Sequence, residues 1–236
     1  MLVHTNQGLS QREAEAVSCA WAALQGEIGN SLCLEVSTNF VELATRNALH
    51  REHECPPLVP WYDYRKSRVG WPNAFWIRLT SAEGDTAGVI ACILRHLKRS
   101  LRQALQDATF LFADAKALGA SGIAESPDLE LIQGNVMLPG AMWVHPDFRG
   151  LRLSKHLFAA AMIEGYRMWK PDHVVGLVEE PKENPIGFAS YRFPRAHKWY
   201  VPNVPGIEFT ANGEKLAVMS MTQQEMRRRF LFGEDL

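Results

Sequence analysis

Val136-Met137-Leu138-Pro139-Gly140-Ala141-Met142-Trp143-Val144, then His145-Pro146-Asp147-Phe148-Arg149-Gly150, then Leu151 to Trp169, is the stretch on which the fold turns. The first nine residues are apolar enough for a buried strand, and Pro146 with Gly150 marks a loop. Beyond it, Leu153, Leu157, Phe158, Ala161 and Met162 recur at helical spacing, and Pro171 stops the helix. A strand that opens through a loop into a helix can aim several backbone N–H groups at a phosphate, with the field of the helix terminus in support. Arg149 to Ser154 are placed to do this. Gly150 permits a close approach, and Arg149 and Arg152 carry cations that suit phosphate.

Towards the C-terminus, His173 to Val178 reads as a strand, Glu183 to Tyr191 as a short helix after Pro181, and Leu216 to Met221 as a last clear strand. A helical tail is expected from Gln223. Towards the N-terminus, Phe75, Ile77 and Leu79 alternate with Trp76, Arg78 and Thr80. Ala87 to Leu94 forms a second strand, with a hairpin turn at Glu83-Gly84-Asp85. His96 to Leu118 has an imperfect apolar face and predicts a helix, followed by a turn-rich acidic stretch from Gly119 to Leu129. Ala14, Val17, Ala20, Trp21 and Leu24 give a helix over residues 11 to 26, with a break at Gly26 and Gly29-Asn30. A second helix is expected from about Ser37 to His50. Leu58 to Pro72, with Trp61, Tyr62, Tyr64 and Trp71, suits either a substrate-facing wall or simple packing of aromatic rings over the sheet.

The run Arg149, Gly150, Leu151, Arg152, Leu153, Ser154 resembles the acyl-CoA-binding motif of the GNAT superfamily, the general N-acetyltransferases. That motif reads Arg or Gln, two variable residues, Gly, one variable residue, then Gly or Ala. Here Arg152 stands where the pattern has Gly, and Ser154 replaces the final small residue. Phe193-Pro194-Arg195 stands where the family has a glycine-aromatic ending. The order of hairpin, phosphate loop, helix and later strand is similar too, over about residues 73 to 222.

The resemblance implies an α/β fold: a mixed, mostly antiparallel GNAT-like sheet with flanking helices and an N-terminal helical extension. It implies one acyltransferase-like domain over 1–236, with an extension at 1–72 and a core at 73–222. The donor would be acetyl-CoA or another acyl-CoA. Its phosphates would lie around Arg149, Gly150, Leu151, Arg152, Leu153 and Ser154, and Asn184 would meet the cofactor side. Strands around Met142, Val144 and Leu177 would part to admit the pantetheine arm. Tyr191 would protonate the departing thiolate, unless it only anchors the short helix. Glu179 and Glu180 are candidate general bases, or an acidic strand end exposed to water. His145, beside Pro146, could position a turn or take part in catalysis, and His173 reads as structural.

The 236 residues favour one domain, and 47 % apolar with 22 % charged residues is ordinary globular composition. Lys and Arg number 25 against 26 Asp and Glu, so no specific nucleic-acid partner is expected. Glu225 to Arg229 reads as a solvated face. Cys19, Cys33, Cys55 and Cys92 are widely spaced, which predicts reduced thiols, no disulfide framework and no metal. No apolar stretch reaches the roughly 20 residues of a membrane span, and no secretory signal is read at Met1 to Ser10. The expectation is a cytoplasmic protein without a membrane partner. G-x-S-x-G, G-x-G-x-x-G and Walker A patterns are missing, which disfavours hydrolase, nicotinamide and nucleotidase readings.

Acyl transfer to a small-molecule or peptide amine by direct attack on the thioester therefore leads. The alternatives are a long-chain N-acyltransferase fed by an acyl carrier protein, met by Arg65, Lys66 and Arg68, and an acyl-CoA sensor without turnover. Oligomeric state is not legible.

Overall fold

The computed structural model describes residues 8–29, 31–179, 193–203 and 216–234. Helix α1 (Gln11–Ile28) starts in a capping box, in which the Ser10 side chain accepts from the Glu13 N–H and the Glu13 carboxylate answers the Ser10 backbone. It runs through the expected break at Gly26, which keeps an ordinary backbone conformation, and is capped at Gly29, whose φ is +82°. Strand β1 (Leu32–Ser37), not expected from the sequence, buries Leu32 and Leu34 in strict alternation. Helix α2 (Phe40–Leu49) is capped by Asn39, whose side chain accepts from the Glu42 N–H.

Strands β2 (Ala74–Ser81) and β3 (Thr86–Leu97) form the expected hairpin. The helix expected from His96 to Leu118 is a correction. β3 continues to Leu97, and only α3 (Leu101–Gln106) is α-helical, capped by Ser100. The chain then turns at Ala108, whose φ is +56°, so Phe110, Leu111, Phe112 and Ala115 enter the core from turns instead of from one helix face. The stretch expected to be only turns holds β4 (Ser121–Ala124). β5 (Gly134–Val144), α4 (Leu153–Trp169), β6 (His173–Glu179), β8 (Leu216–Thr222) and α5 (Gln223–Phe230) follow the sequence reading closely, and β7 (Arg195–Asn203) is a further strand it missed. The short helix expected at 183–191 lies outside the described residues.

The eight strands among the described residues join one sheet in the order β1-β2-β3-β5-β6-β8-β7-β4. Every neighbouring pair is antiparallel except β5 and β6. This is the mixed, mostly antiparallel GNAT-like sheet that the resemblance implied, with β4 added at its far edge. α1, α4 and α5 cover one face, where Leu153, Leu157, Phe158 and Tyr166 pack on Phe75, Ile77 and Met137. α2, α3 and the 58–62 segment cover the other, where Trp61, Tyr62, Phe110 and Phe112 pack on Trp76, Ala91 and Leu138. Trp61 and Tyr62 are thus core residues, while Tyr64 and Trp71 are exposed. No helix among the described residues is long and apolar enough to cross a membrane.

Candidate functional site

The one parallel pair among the described strands is also the one with the fewest paired residues. β5 and β6 pair only at Val136↔His173 and Met137↔Val174, although β6 pairs with β8 along its whole length. The separation has a local cause in β5. Between the pairs Ala91↔Gly140 and Val89↔Trp143, the two residues Ala141 and Met142 face the single residue Ile90 of β3. Ala141 sits there at φ +47°. Such a bulge bends its strand and leaves an extra residue out of the ladder.

Past the bulge the strands enclose a cleft of about 360 Å³, open to solvent and lined by Pro139 to Met142, Gly176 to Val178, Ile90, Phe158 and Phe193. On the α4 side, the Phe158 and Phe193 rings meet edge to face at 5.5 Å between centroids. On the opposite side, the Tyr62 hydroxyl donates to the Leu138 carbonyl at 3.0 Å. A Cβ at Gly140 would stand 2.7 Å from that hydroxyl, so only glycine lets the phenol lie against the strand. Full burial raises the Tyr62 pKa well above its ordinary value, with the neighbouring Cys92 adding to the rise. Tyr62 therefore remains a protonated donor at any working pH.

At the end of β5, the His145 N–H donates to the Ala87 carbonyl at 3.0 Å, and a 3₁₀ turn spans Pro146–Phe148. Gly150 then adopts φ +85°, and Arg152 adopts φ +56°, ψ 26° as the residue before α4. A left-handed conformation costs a non-glycine residue about 1–2 kcal/mol. The helix start has no side-chain cap and no acidic residue in its first turn. Its leading N–H groups thus lack a capping side chain, in a field that favours an anion. Arg152 and Leu151 are exposed, Ser154 is half-buried, and Leu153 is buried as the anchor of the turn. Arg149 is paired with Glu54 at 2.8 Å, both side chains being more than half exposed.

Of the residues singled out from the sequence, Met142 and Leu177 line the cleft on its two facing strands, and Arg149 to Ser154 follow the same end of β5. Val144 lies past the cleft, paired with Gly88. Glu179 ends β6 opposite Leu216. Glu180, Asn184 and Tyr191 lie outside the described residues.

Two features were not foreseen. One is Tyr62 as the residue seated against the seam. The other is a cluster of His50, His53 and His145, whose ligand-capable atoms lie within 4.8 Å of one another. The metal-free expectation rested on the wide spacing of the cysteines and the lack of a His placed close to them, and it did not consider histidines by themselves. The His50-x-x-His53 spacing was a usable signal, since residues three apart eclipse in a 3₁₀ turn, and Arg51–His53 forms one. The pKa of His50 is lowered, chiefly by burial and then by His145 and His53.

No protein-family profile matches the sequence, and no curated protein matches it. The chain is similar in structure to Arabidopsis thaliana NAA60 in complex with acetyl-CoA, at 9 % identity over 81 % of this chain and 98 % of that one, with a TM-score of 0.48. It is similar to mutant forms of the spermidine/spermine N-acetyltransferase SpeG from Vibrio cholerae, at 10 % identity over 84 % and 98 %, with a TM-score of 0.48. It is also similar to FeeM, an N-acyl amino acid synthase from uncultured soil microbes, at 11 % identity over 85 % and 96 %, with a TM-score of 0.47. Likeness at this level leaves the functional reading to the site itself.

Proposed function

We propose that this protein transfers an acetyl or related acyl group from coenzyme A to an amine. The observation that carries the reading is the parting of β5 from β6 directly beside the uncapped start of α4. A pantetheine arm is a narrow chain with two amides. It fits a gap between strands whose backbone N–H and C=O groups have lost their sheet partners. The phosphates that precede it suit the N–H groups of Gly150 to Ser154, with Arg149 and Arg152 as cationic contacts.

The thioester would then lie near the bulge at Ala141-Met142, where a backbone N–H freed from the ladder can stabilise the oxyanion. The acceptor would enter through a second, smaller cavity of about 110 Å³, lined by Leu43, His50, Leu58, Val59 and Trp143, which meets the cleft at Ala141. Attack of the amine nitrogen on the thioester carbonyl forms the amide and releases the CoA thiolate. The proton lost by the amine and the proton gained by the thiolate need a base and an acid. Glu179 or Glu180 is proposed for the first and Tyr191 for the second.

A thermal-shift titration with acetyl-CoA and a longer acyl-CoA, with ATP and NAD as controls, tests the donor site. Stabilisation confined to the CoA compounds is expected, and a thiol-release assay over an amine panel then tests turnover. Equal shifts with all four ligands would overturn the donor assignment. CoA-specific stabilisation with no thiol release from any amine would leave a binding protein in place of an enzyme.

A further inference from the structure

We propose that His50, His53 and His145 form a binding site for a first-row divalent metal ion, of which zinc is the best match. The inference is independent of the acyl-transfer reading. His50 closes α2, His53 lies three residues on in the 3₁₀ turn, and His145 follows the last residue of β5. Three elements thus present imidazoles to one point. Zinc binds imidazole nitrogen at about 2.0–2.1 Å, which sets nitrogens in a tetrahedral site about 3.4 Å apart. The present spread of at most 4.8 Å closes to that by small ring rotations. The His53 side chain is 43 % exposed, and its ring already lies 4.6 Å from that of His145 between centroids, so its main neighbour is another member of the cluster.

The polar surroundings fit the same reading. Nδ1 of His50 is buried without a hydrogen-bond partner among the described residues, an unfavourable state that a metal bond would relieve. The other two rings each have a carboxylate at one nitrogen. Glu52 lies 3.5 Å from Nε2 of His53, and Asp147 lies 3.7 Å from Nδ1 of His145. Carboxylates in that position orient a ligating imidazole and raise its basicity, leaving the opposite nitrogen for the metal. His145 now accepts a hydrogen bond from the Asp147 N–H through Nδ1 at 3.2 Å. Metal at Nε2 would place the proton on Nδ1, exchanging that backbone bond for donation to the Asp147 carboxylate. Three imidazoles are a donor set that suits zinc, copper or nickel over magnesium or calcium. They leave a fourth position, and His50 lines the second cavity, which could supply its occupant.

The metal would clip the 50–54 segment to the end of β5. Glu54 in that segment holds Arg149, so the ion would fix one wall of the proposed phosphate loop without touching it.

The test is a zinc titration of chelator-stripped full-length protein against a chromophoric competitor, repeated with cobalt to read its visible spectrum. A single equivalent is expected, with a tetrahedral cobalt spectrum and a rise in Tm on loading. His53→Ala should weaken zinc by at least about tenfold while leaving the metal-free Tm unchanged, since that side chain is exposed. His145→Ala should do the same to affinity, and His96→Ala, outside the cluster, should change nothing. Zinc affinity untouched by His53→Ala and His145→Ala, or no uptake at micromolar zinc, overturns the site. Neither result depends on whether CoA binds.

Discussion

The Tyr62 hydroxyl donates a 3.0 Å hydrogen bond to the Leu138 carbonyl, with Gly140 left bare beneath the ring. The contact joins a loop residue to a strand 76 positions away, at the seam of the sheet. Tyr62→Phe removes that buried hydrogen bond and should destabilise the protein by about 1 kcal/mol. Gly140→Ala drives a methyl into the phenol and should cost at least as much. Because both changes act on one contact, the double variant should lose less than the two single losses combined. Urea unfolding of the four proteins measures this, and strict additivity would show that the ring does not press on the strand.

Arg152 holds the left-handed conformation that glycine adopts freely. Arg152→Gly relieves about 1 kcal/mol of strain, partly offset by the greater freedom of glycine in the unfolded chain. A small net gain in stability is expected. If the cation also contacts phosphate, acyl-CoA affinity should fall several-fold and become less sensitive to salt. Calorimetry at two ionic strengths reads both quantities, and an unaltered salt response would remove Arg152 from the phosphate site.

The Arg149–Glu54 pair is exposed, and pairs of that kind contribute at most about 1 kcal/mol to stability. Glu54→Gln should therefore leave Tm nearly unchanged. It frees the cation for phosphate, so CoA should bind more tightly at low salt, with the gain vanishing at high salt. Weaker CoA binding in this variant would mean that the carboxylate orients Arg149 and does not compete for it.

Glu13 ties α1 to α4, accepting from the Tyr166 hydroxyl and from Lys170. Those two bonds, then the Ser10 backbone N–H, hold its carboxyl far below the ordinary value of 4.5. The folded value is the lower one, so the stabilisation is complete above about pH 4.5 and is lost as the pH falls through the folded value. Glu13→Gln should lower stability at pH 7 by about 1–3 kcal/mol and flatten its fall below pH 4.5. Denaturant midpoints from pH 3 to 7 check this, and parallel curves for both proteins would show that Glu13 does not drive the acid limb.

The parts of the fold legible in the sequence are those where one physical signal acts alone. β5, the Pro146–Gly150 loop and α4 declare themselves by an apolar run, turn residues and helical spacing, and the β2–β3 hairpin by alternation around a glycine turn. β1 was hidden because Gly29-Asn30 and the onset of α2 crowd its six residues. β4 has only four residues and buries one, Ala124. In β7, Lys198 and Pro202 break the apolar pattern. Residues 96–118 misled because turns can bury Phe110 and Leu111 as fully as a helix does. At the site, the loop that leads into α4 was readable from Pro146 and Gly150. The bulge was not, since alanine at 141 does not announce a positive φ, and the histidine cluster joins positions that only folding brings together.

The strand at the far edge has a consequence for how this chain is made. β4 leaves the ribosome roughly eighty residues before β7, its partner in the sheet. During that interval its backbone groups have no strand to pair with, and the β6–β8–β7 half of the sheet does not yet exist. Completion must wait for β7 and β8, so strands made long after β4 govern whether residues 121–124 are ever sheltered. A chain that lacked β7 would present that edge unpaired, a template for pairing with another chain.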